Sequence, residues 1–325
     1  MPAAQRAAAN LSLKQLYYLV TLRETLNFTR AAERCFVTQS TLSGGLKELE
    51  STLGVHLVER DRQNVRFTAL GDAVVSMARR LLSDASDLIG RCQVAQDPTQ
   101  GELHLGAIPT IAPFLLPGLL RGLRQTMPNL RVILREEPTH VLLELVDRGE
   151  LDLAILALPM DIGRLHAETL FSEELWLVSS SADRQARVEA PKLSKLDTQR
   201  LLLLSEGHCL SDHTLQACER AQRGKAVTTS EIEATSVATL VQMVEAGLGI
   251  ALLPEMAIQS KLLQGSDVIA RPLASPAPKR DIVLVRRPTQ APNAVSSEVK
   301  RLATGLRPHQ AKGAQRSHSA RRNQT

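Results

Sequence analysis

The residues of this sequence best suited to redox chemistry are two cysteines nine positions apart, Cys209 and Cys218. His208 stands directly before the first of them. Because a neighbouring histidine and a helix N-terminus both favour a thiolate and lower the pKa of a thiol, Cys209 is predicted to attack an oxidant. Cys218 is predicted to resolve the resulting sulfenic acid. The alternative is that both are small buried residues without reactivity, and that His208 is a loop or core residue.

The two cysteines lie in a segment with a helix signal. Ser211 or Asp212 is a candidate N-cap, and Gly224 is a candidate C-terminal stop. This places Cys209 just outside the helix and Cys218 within it. Nine steps of about 1.5 Å would separate the two Cα atoms by roughly 13 Å, whereas a disulfide needs less than about 7 Å. A bond between them would therefore require the helix to unwind.

Length and composition limit the class of protein. A chain of 325 residues is long enough for two or three domains, and its 43% hydrophobic share is globular. Only eight residues are aromatic, which disfavours a surface that stacks bases or sugars on rings. The net charge of +5 comes from the segment after residue 306, and residues 1–68 are mildly basic. This distribution favours nucleic-acid contact near the N-terminus, by a helix in a groove.

The cysteine count and the hydropathy bear on the compartment. Four cysteines in so long a chain do not make a secreted disulfide framework, and their spacing does not suggest zinc. Cys35 and Cys92 are predicted to be unreactive. The first ten residues make a poor signal peptide, and no run approaches the length of a membrane span. The protein is expected to be soluble and cytoplasmic, with no metal and no cofactor.

The N-terminal region carries a helix-turn-helix pattern. A short helix capped near Asn27 or Thr29 is followed by a break and by a second helix from Gln39 to Leu53, which ends at Gly54. Residues 55–60 and 65–68 then read as the two strands of a hairpin wing. The arginines expected to face phosphate are Arg60, Arg62 and Arg66. The alternative is a generic three-helix domain with a solvated basic loop.

A long helix and an α/β region follow. The helix runs from Thr68 to about Ala95 with one apolar stripe, formed by Ala73, Val74, Met77, Leu81, Leu82, Leu88 and Ile89. After a hinge at residues 97–101, strands at 102–107, 130–136 and 151–156 are predicted to alternate with helices at 112–125 and 139–148. This βαβαβ order predicts a mainly parallel sheet with helices on both faces. Further strands are predicted at 174–179, 201–204 and 249–252, and a further helix at 237–245. Residues 281–285 are predicted to form a returning strand, so that two lobes enclose a ligand cleft.

The N-terminal motifs resemble those of LysR-type transcriptional regulators. The matching positions are Ala31-Ala32, Val37-Thr38-Gln39-Ser40, Leu42-Ser43, Leu49-Glu50, Leu53-Gly54 and Glu59-Arg60. The resemblance implies that the helix from Gln39 enters the major groove and that the long helix pairs two subunits. It implies base or phosphate contacts by Arg34, Gln39, Ser40, Thr41, Ser43, Lys47 and the wing arginines. Gly44 and Gly45 depart from the pattern, and each costs up to about 1 kcal/mol in a helix.

The C-terminal half is similar to the peroxide-sensing branch of that family. The matching stretches include Leu103-His104-Leu105-Gly106, Ile108-Pro109-Thr110, Thr139-His140, Gly207-His208-Cys209-Leu210 with Cys218, and Ala234-Thr235-Ser236. The resemblance implies that Cys209 reacts with peroxide, that Cys218 is its disulfide partner, and that Thr110, Thr139, His208 and Arg280 surround the bound peroxide. From the residues alone, Thr110 would be interpreted as a turn residue at a strand end and Thr139 as a helix N-cap.

The predicted architecture is α/β: an N-terminal winged helix-turn-helix with a linker helix, then a two-lobed, periplasmic-binding-protein-like effector domain. The predicted boundaries are residues 1–68 for the DNA-binding domain, 69–97 for the linker helix and hinge, 98–306 for the effector domain, and 307–325 for a basic, disordered tail.

The predicted function is a DNA-binding transcriptional regulator that peroxide switches through a reversible disulfide between Cys209 and Cys218. One alternative is a LysR-type regulator that responds to a small metabolite in the cleft. Another is a thiol peroxidase with a DNA domain, which is disfavoured because the sequence carries no second catalytic constellation. The expected partners are double-stranded promoter DNA, further copies of the chain in a dimer or dimer of dimers, and hydrogen peroxide, with RNA polymerase as a candidate and no membrane.

Overall fold

The computed structural model describes residues 10–60, 65–96, 101–205, 207–222 and 229–308. The chain divides into two compact units, one made of residues 1–96 with 147–150 and one made of residues 97–146 with 151–325. Within the described ranges, no helix is both long and apolar enough to cross a membrane. Gly224, most of the predicted hinge and nearly all of the predicted tail lie outside them, and the predicted domain boundaries stay predictions.

The first unit begins with three helices, α1 (Leu13–Thr25), α2 (Phe28–Arg34) and α3 (Gln39–Leu53). The Asn27 side chain accepts hydrogen bonds from the backbone N–H groups of Thr29 and Arg30, so it caps α2. Thr38 caps α3 in the same way, and Gly54 ends α3 with a left-handed φ of 69°. These caps confirm the predicted helix-turn-helix and its boundaries, because each signal is local to the helix end that it forms.

The wing and the long helix complete this unit. Strands β1 (Val58–Arg60) and β2 (Val65–Phe67) pair antiparallel, and α4 (Ala69–Gln96) follows them. Val75 and Ala78 of α4 are buried in one apolar core with Leu19, Leu42 and Leu49 of the preceding helices. The predicted stripe on α4 divides accordingly. Val74 and Leu82 pack against this core, whereas the other five side chains are exposed, namely Ala73, Met77, Leu81, Leu88 and Ile89.

The second unit alternates strands and helices. Its strands are β3 (Gly101–Ala107), β4 (Leu130–Glu136), β5 (Leu153–Leu158), β6 (His166–Ser180), β7 (Leu203–Leu204), β8 (Glu233–Ala234), β9 (Ala251–Pro254), β10 (Val268–Pro272) and β11 (Lys279–Arg286). Its helices are α5 (Ala112–Thr126), α6 (Thr139–Arg148), α7 (Cys209–Ala221), α8 (Val237–Glu245), α9 (Glu255–Gln259) and α10 (Ala294–Gly305). The sequence patterns predicted β4, α6 and α8 with these bounds and missed β8, β10, α9 and α10.

The main sheet of this unit has seven strands in the order β10-β6-β11-β5-β3-β4, with β9 also pairing with β6. Strand β3 is parallel to β4 and β5, but every pairing of β6 and β11 is antiparallel. The prediction of a mainly parallel sheet therefore holds for the first βαβαβ segment and is wrong beyond it. The reason is that β11 returns between β5 and β6, as the predicted returning strand requires.

Strand β6 joins the two lobes of this unit. Its first part pairs with β11 and its last part pairs with β9 and β10, so the 15-residue strand runs continuously from one lobe into the other. Each lobe has its own apolar core. Cys209 packs in the core of the first lobe, whereas Cys218 packs in the core of the second. One helix, α7, thus carries a cysteine into each lobe.

Candidate functional site

Helix α7 starts three or four residues earlier than predicted. Its N-cap is His208, in extended conformation, and Cys209 is its first residue. Ser211 cannot act as the cap, because its hydroxyl donates a hydrogen bond to the Leu204 carbonyl at 2.8 Å. The prediction that Cys209 lies outside the helix and that Ser211 or Asp212 caps it is therefore wrong. The two cysteines occupy one continuous helix instead.

The Cys209 thiol is buried, with 7% of the residue exposed. Burial raises its pKa above the ordinary value, and this effect exceeds the opposite effects of the Arg280 guanidinium and the Thr139 hydroxyl. The prediction of a lowered pKa is therefore wrong for this conformation. The reason is that the helix N-terminus lies inside a packed core. There, removal of water destabilises the thiolate more than the nearby dipoles and positive charge stabilise it.

Thr139 is the first residue of α6, and its hydroxyl is buried near the Cys209 sulfur. The oxygen makes no hydrogen bond of normal geometry among the described residues, although it lies close enough to the sulfur to stabilise a thiolate. It does not cap its own helix, which removes the alternative explanation for a threonine at this position. A buried hydroxyl without a partner can donate to an oxygen atom that enters beside the sulfur.

Arg280 occupies the centre of the site and is fully buried. Its Nε donates to a carboxylate oxygen of Glu173 at 2.8 Å, and its terminal nitrogens donate to the Thr110 hydroxyl at 2.9 Å and the Thr110 carbonyl at 3.1 Å. The other Glu173 oxygen accepts from the backbone N–H of Met256 at 2.9 Å. This network leaves the positive charge paired but close enough to Cys209 to favour its thiolate.

The structure therefore brings four of the five residues predicted around peroxide into one buried neighbourhood, namely Cys209, Thr139, Arg280 and Thr110. His208 is the fifth. It adjoins Cys209 as the N-cap, but its side chain makes no capping hydrogen bond. Sequence reasoning missed Glu173, whose pairing with a residue 107 positions away carries no local signal. A pair of acidic residues within an apolar strand, at 173 and 174, was the one available clue.

Cys218 lies in the other core with no exposed surface. Burial, and then the charge of Glu219, raises the pKa of its thiol to about 11. Cys218 is not bonded to another cysteine. With α7 intact, helical geometry separates the two Cα atoms by roughly 13 Å, beyond the reach of a disulfide at less than about 7 Å.

The predicted DNA-contacting residues cluster on α3 and beside it. Ser40 and Thr41 share hydrogen bonds with the Thr38 hydroxyl at 2.9 and 2.8 Å, and Gln39 accepts one from Thr29 at 3.3 Å. The side chains of Gln39, Ser40, Thr41 and Lys47 are exposed, as a surface that contacts DNA requires. Ser43 is half-buried on the same helix.

The predicted phosphate-contacting arginines differ in their surroundings. Arg66 is exposed on β2, whereas Arg34 forms an ion pair with Glu24 at 2.8 Å. Arg62 and the side chain of Arg60 lie outside the described residues. Arg34 would have to leave Glu24 before it contacts phosphate, and the roles of all these arginines stay predictions.

The two glycines of α3 differ in whether side-chain packing requires them. A Cβ atom at Gly45 would approach the ring of Tyr18 to 3.0 Å, whereas a Cβ at Gly44 would meet nothing within 4 Å. Tyr18 is buried in the core of the same unit. Gly45 therefore permits close packing of α1 against α3, and the structure provides no corresponding reason for Gly44.

Comparison with protein families agrees with this geometry. The family described as "Bacterial regulatory helix-turn-helix protein, lysR family" matches residues 13–72, and the "LysR substrate binding domain" matches residues 96–306. The chain belongs to the LysR family. Its two matched segments correspond to the winged helix-turn-helix and the two-lobed α/β region, so the predicted fold class of a LysR-type regulator is confirmed.

Curated relatives divide between two kinds of LysR-type regulator. The HTH-type transcriptional regulator EstR of Acinetobacter baylyi is 48% identical over 280 residues, which cover 86% of this chain and 92% of that protein. The DNA-binding transcriptional dual regulator OxyR of Escherichia coli is 37% identical over 297 residues, which cover 91% and 95%.

Solved structures of LysR-type regulators include full-length OxyR of Pseudomonas aeruginosa with a cysteine replaced by aspartate. It has a TM-score of 0.73 at 32% identity and covers 91% of this chain and 97% of that chain. A Corynebacterium glutamicum OxyR mutant with hydrogen peroxide bound has a TM-score of 0.60 at 30% identity and covers 91% and 94%. The predicted resemblance to peroxide sensors is thereby confirmed.

Proposed function

We propose that the protein is a DNA-binding transcriptional regulator that hydrogen peroxide switches through a reversible disulfide between Cys209 and Cys218. The observation that carries the proposal is the buried group of Cys209, Thr139, Thr110 and Arg280. Its members are the residues that a reaction between a thiol and a peroxide needs, and homology to OxyR supports the choice of oxidant.

The first chemical step is an attack of the Cys209 thiolate on one peroxide oxygen. The S–O bond forms as the O–O bond breaks, the sulfur is oxidised to sulfenic acid, and the departing oxygen takes up protons and leaves as water. The unpartnered Thr139 hydroxyl can donate a hydrogen bond to an oxygen at this point. The positive charge of Arg280 favours the thiolate that attacks.

The second step joins the two sulfurs. The Cys218 thiol loses its proton and attacks the sulfenic sulfur, so that an S–S bond forms and the hydroxyl group leaves as a second water. One peroxide and two thiols give one disulfide and two waters, which balances atoms and electrons. Because α7 keeps the cysteines apart, the segment between them must unwind first, and this changes the surface of the second lobe.

DNA is the proposed target of the switch. The exposed polar face of α3 and the wing support contact with promoter DNA. The exposed apolar side chains of Met77, Leu81, Leu88 and Ile89 on α4 support pairing with a second copy, because an isolated helix would leave them in water. Altered packing between effector domains would then change the spacing of the DNA-binding units.

The test is DNase footprinting of the full-length protein on its promoter, reduced and oxidised. Wild type should give two different footprints, and Cys209→Ser should give the reduced footprint after peroxide treatment. Identical wild-type footprints in both states, or a footprint of Cys209→Ser that still changes with peroxide, would remove the proposal.

A second candidate function is a regulator that answers a small metabolite bound between the lobes. The 48% identity to EstR favours it, since that relative is named as a regulator without reference to peroxide. In this case the footprint would change when the metabolite is added, and Cys209→Ser would show the same change as wild type.

A further inference from the structure

A cavity lies along α7, beyond the first turn that carries Cys209. Its volume is about 600 Å³, within the range of about 300–1,000 Å³ that holds small-molecule ligands. Helix α7 supplies one wall through His213, Gln216, Ala217, Arg220 and Ala221. These positions recur at helical spacing, so they form a single face of the helix.

The cavity carries positive charge. Lys192, Arg220 and Lys279 line it, and no carboxylate is among its described lining residues. Lys279 is 3.3 Å from a carboxylate oxygen of Glu174, which lies outside the lining. Lys192 and Arg220 have no ion pair with any residue that the structure describes. Two cations without acidic partners at a concave surface attract an anion.

The rest of the lining is largely apolar, with Leu193, Ala217 and Ala277 among its members. His213 adds a polar group. It is 5% exposed, and its Nε2 lies 3.1 Å from the Pro159 carbonyl oxygen, which can only accept a hydrogen bond. Nε2 therefore carries the proton, and the buried Nδ1 has no partner within the described residues.

We propose that this cavity binds a small organic anion, a carboxylate or phosphate ester on a compact apolar body, and that the bound anion holds α7 in its helical form. The reason is geometric. The anion would contact side chains that share a face only while residues 213–221 are helical, so it binds the helical state and stabilises it by mass action.

Benzoate is a suitable probe, because it combines one carboxylate with an apolar ring. Titration calorimetry on the reduced full-length protein should detect its binding. Inorganic phosphate lacks the apolar body and benzyl alcohol lacks the charge, and both should bind more weakly than benzoate. No heat with benzoate at millimolar concentrations, or equal affinity for benzyl alcohol, would overturn the proposal.

The chain offers a matched pair of lysines for the variants. Lys192, the N-cap residue of a 3₁₀ segment, lines the cavity, whereas Lys195, at the end of that segment, is also exposed and does not line it. Lys192→Gln should weaken benzoate binding about tenfold, since it removes one charged hydrogen bond. Lys195→Gln should leave the affinity unchanged. Equal weakening by both variants would show that only the overall charge of the protein affects benzoate binding, and it would overturn the proposed site.

The effect on the helix can be measured without oxidation. Amide hydrogen exchange of residues 213–221 should slow when benzoate is added to wild type or Lys195→Gln, and it should slow less in Lys192→Gln. Binding without slower exchange would overturn the stabilising role of the ligand.

A consequence for oxidation rests on the proposed function. Because the disulfide needs α7 to unwind, benzoate should slow its formation in wild type and Lys195→Gln. If no disulfide forms in any of the proteins, the proposed function fails while calorimetry and exchange still decide the site. If the disulfide forms at the same rate with bound benzoate, the stabilising role fails and the proposed function stands.

Discussion

Cys209 and Cys218 share one helix but have different surroundings. Burial raises the pKa of both thiols. At Cys209 a guanidinium and a hydroxyl act against the burial and Asp212 adds to it, whereas at Cys218 the charge that acts is Glu219, which raises the pKa further. Burial alone therefore does not separate a reactive thiol from an inert one. The difference lies in the polar groups that the fold places beside each sulfur.

The lobes explain this difference. The first turn of α7 meets strand β11 and the start of α6, which supply Arg280 and Thr139, whereas the last turns of α7 pack into a core of aliphatic residues. The same helix thus links a polar, charged pocket to an apolar one. Under the proposed disulfide mechanism, unwinding would move Cys218 out of that apolar core after Cys209 has been oxidised.

The largest effect is expected from Cys209→Ser. If Cys209 is the thiol that meets peroxide, this variant should lose thiols no faster than free cysteine does at the same pH, because Cys218 is buried and protonated. Cys218→Ser should instead retain the first step and accumulate sulfenic acid, then sulfinic acid. Alkylation and peptide mass spectrometry would measure both. Equal peroxide reactivity of the two single variants would abolish the distinction between the two sites.

Removal of Arg280 should make the Cys209 site resemble the Cys218 site. Arg280→Met leaves the buried Glu173 carboxylate unpaired, so the free energy of unfolding should fall by about 3–5 kcal/mol. Urea denaturation measures this loss. Double replacement of Arg280 and Glu173 by methionine should recover much of the stability, while peroxide reactivity stays low because the positive charge is gone. A loss below about 1 kcal/mol for Arg280→Met, as for an exposed ion pair, would contradict the buried network.

The pH dependence should distinguish a raised pKa from a lowered one. Since the Cys209 pKa is raised, the thiol is mostly protonated near neutrality, and the thiolate fraction should grow about tenfold for each pH unit up to at least about pH 8.5. Stopped-flow oxidation of Cys218→Ser isolates the first step. A rate that levels off below pH 7 would show that Cys209 has a low pKa in solution and that its surroundings differ from those described.

The smallest effect is expected from Thr139→Val. Loss of the hydroxyl beside Cys209 should slow the first step about tenfold, the equivalent of one hydrogen bond. Stability should not fall, because valine has a similar shape and the hydroxyl has no partner to lose. Thr139→Ser should restore the rate. Normal peroxide reactivity of the valine variant would show that the Thr139 hydroxyl takes no part in the reaction.

Local signals in the sequence determined most helix boundaries. Asn27, Thr38 and Gly54 define helix ends in the N-terminal unit, because capping depends on residues within one turn. Helices α6 and α8 likewise have the predicted bounds. The family motifs also indicated the pocket residues, although without their contacts. These features could be predicted because each depends on neighbours in the chain.

Tertiary structure alone decided the electrostatics of the Cys209 site. The Arg280 to Glu173 pair joins strands 107 residues apart, and the seven-strand order follows from β11 returning between strands far from it in sequence. Local reasoning placed Cys209 outside the helix with a lowered pKa, because a histidine and a helix N-terminus favour a thiolate. The core that packs around the first turn of α7 reverses that result, since desolvation depends on everything near the sulfur and not only on its neighbours in the chain.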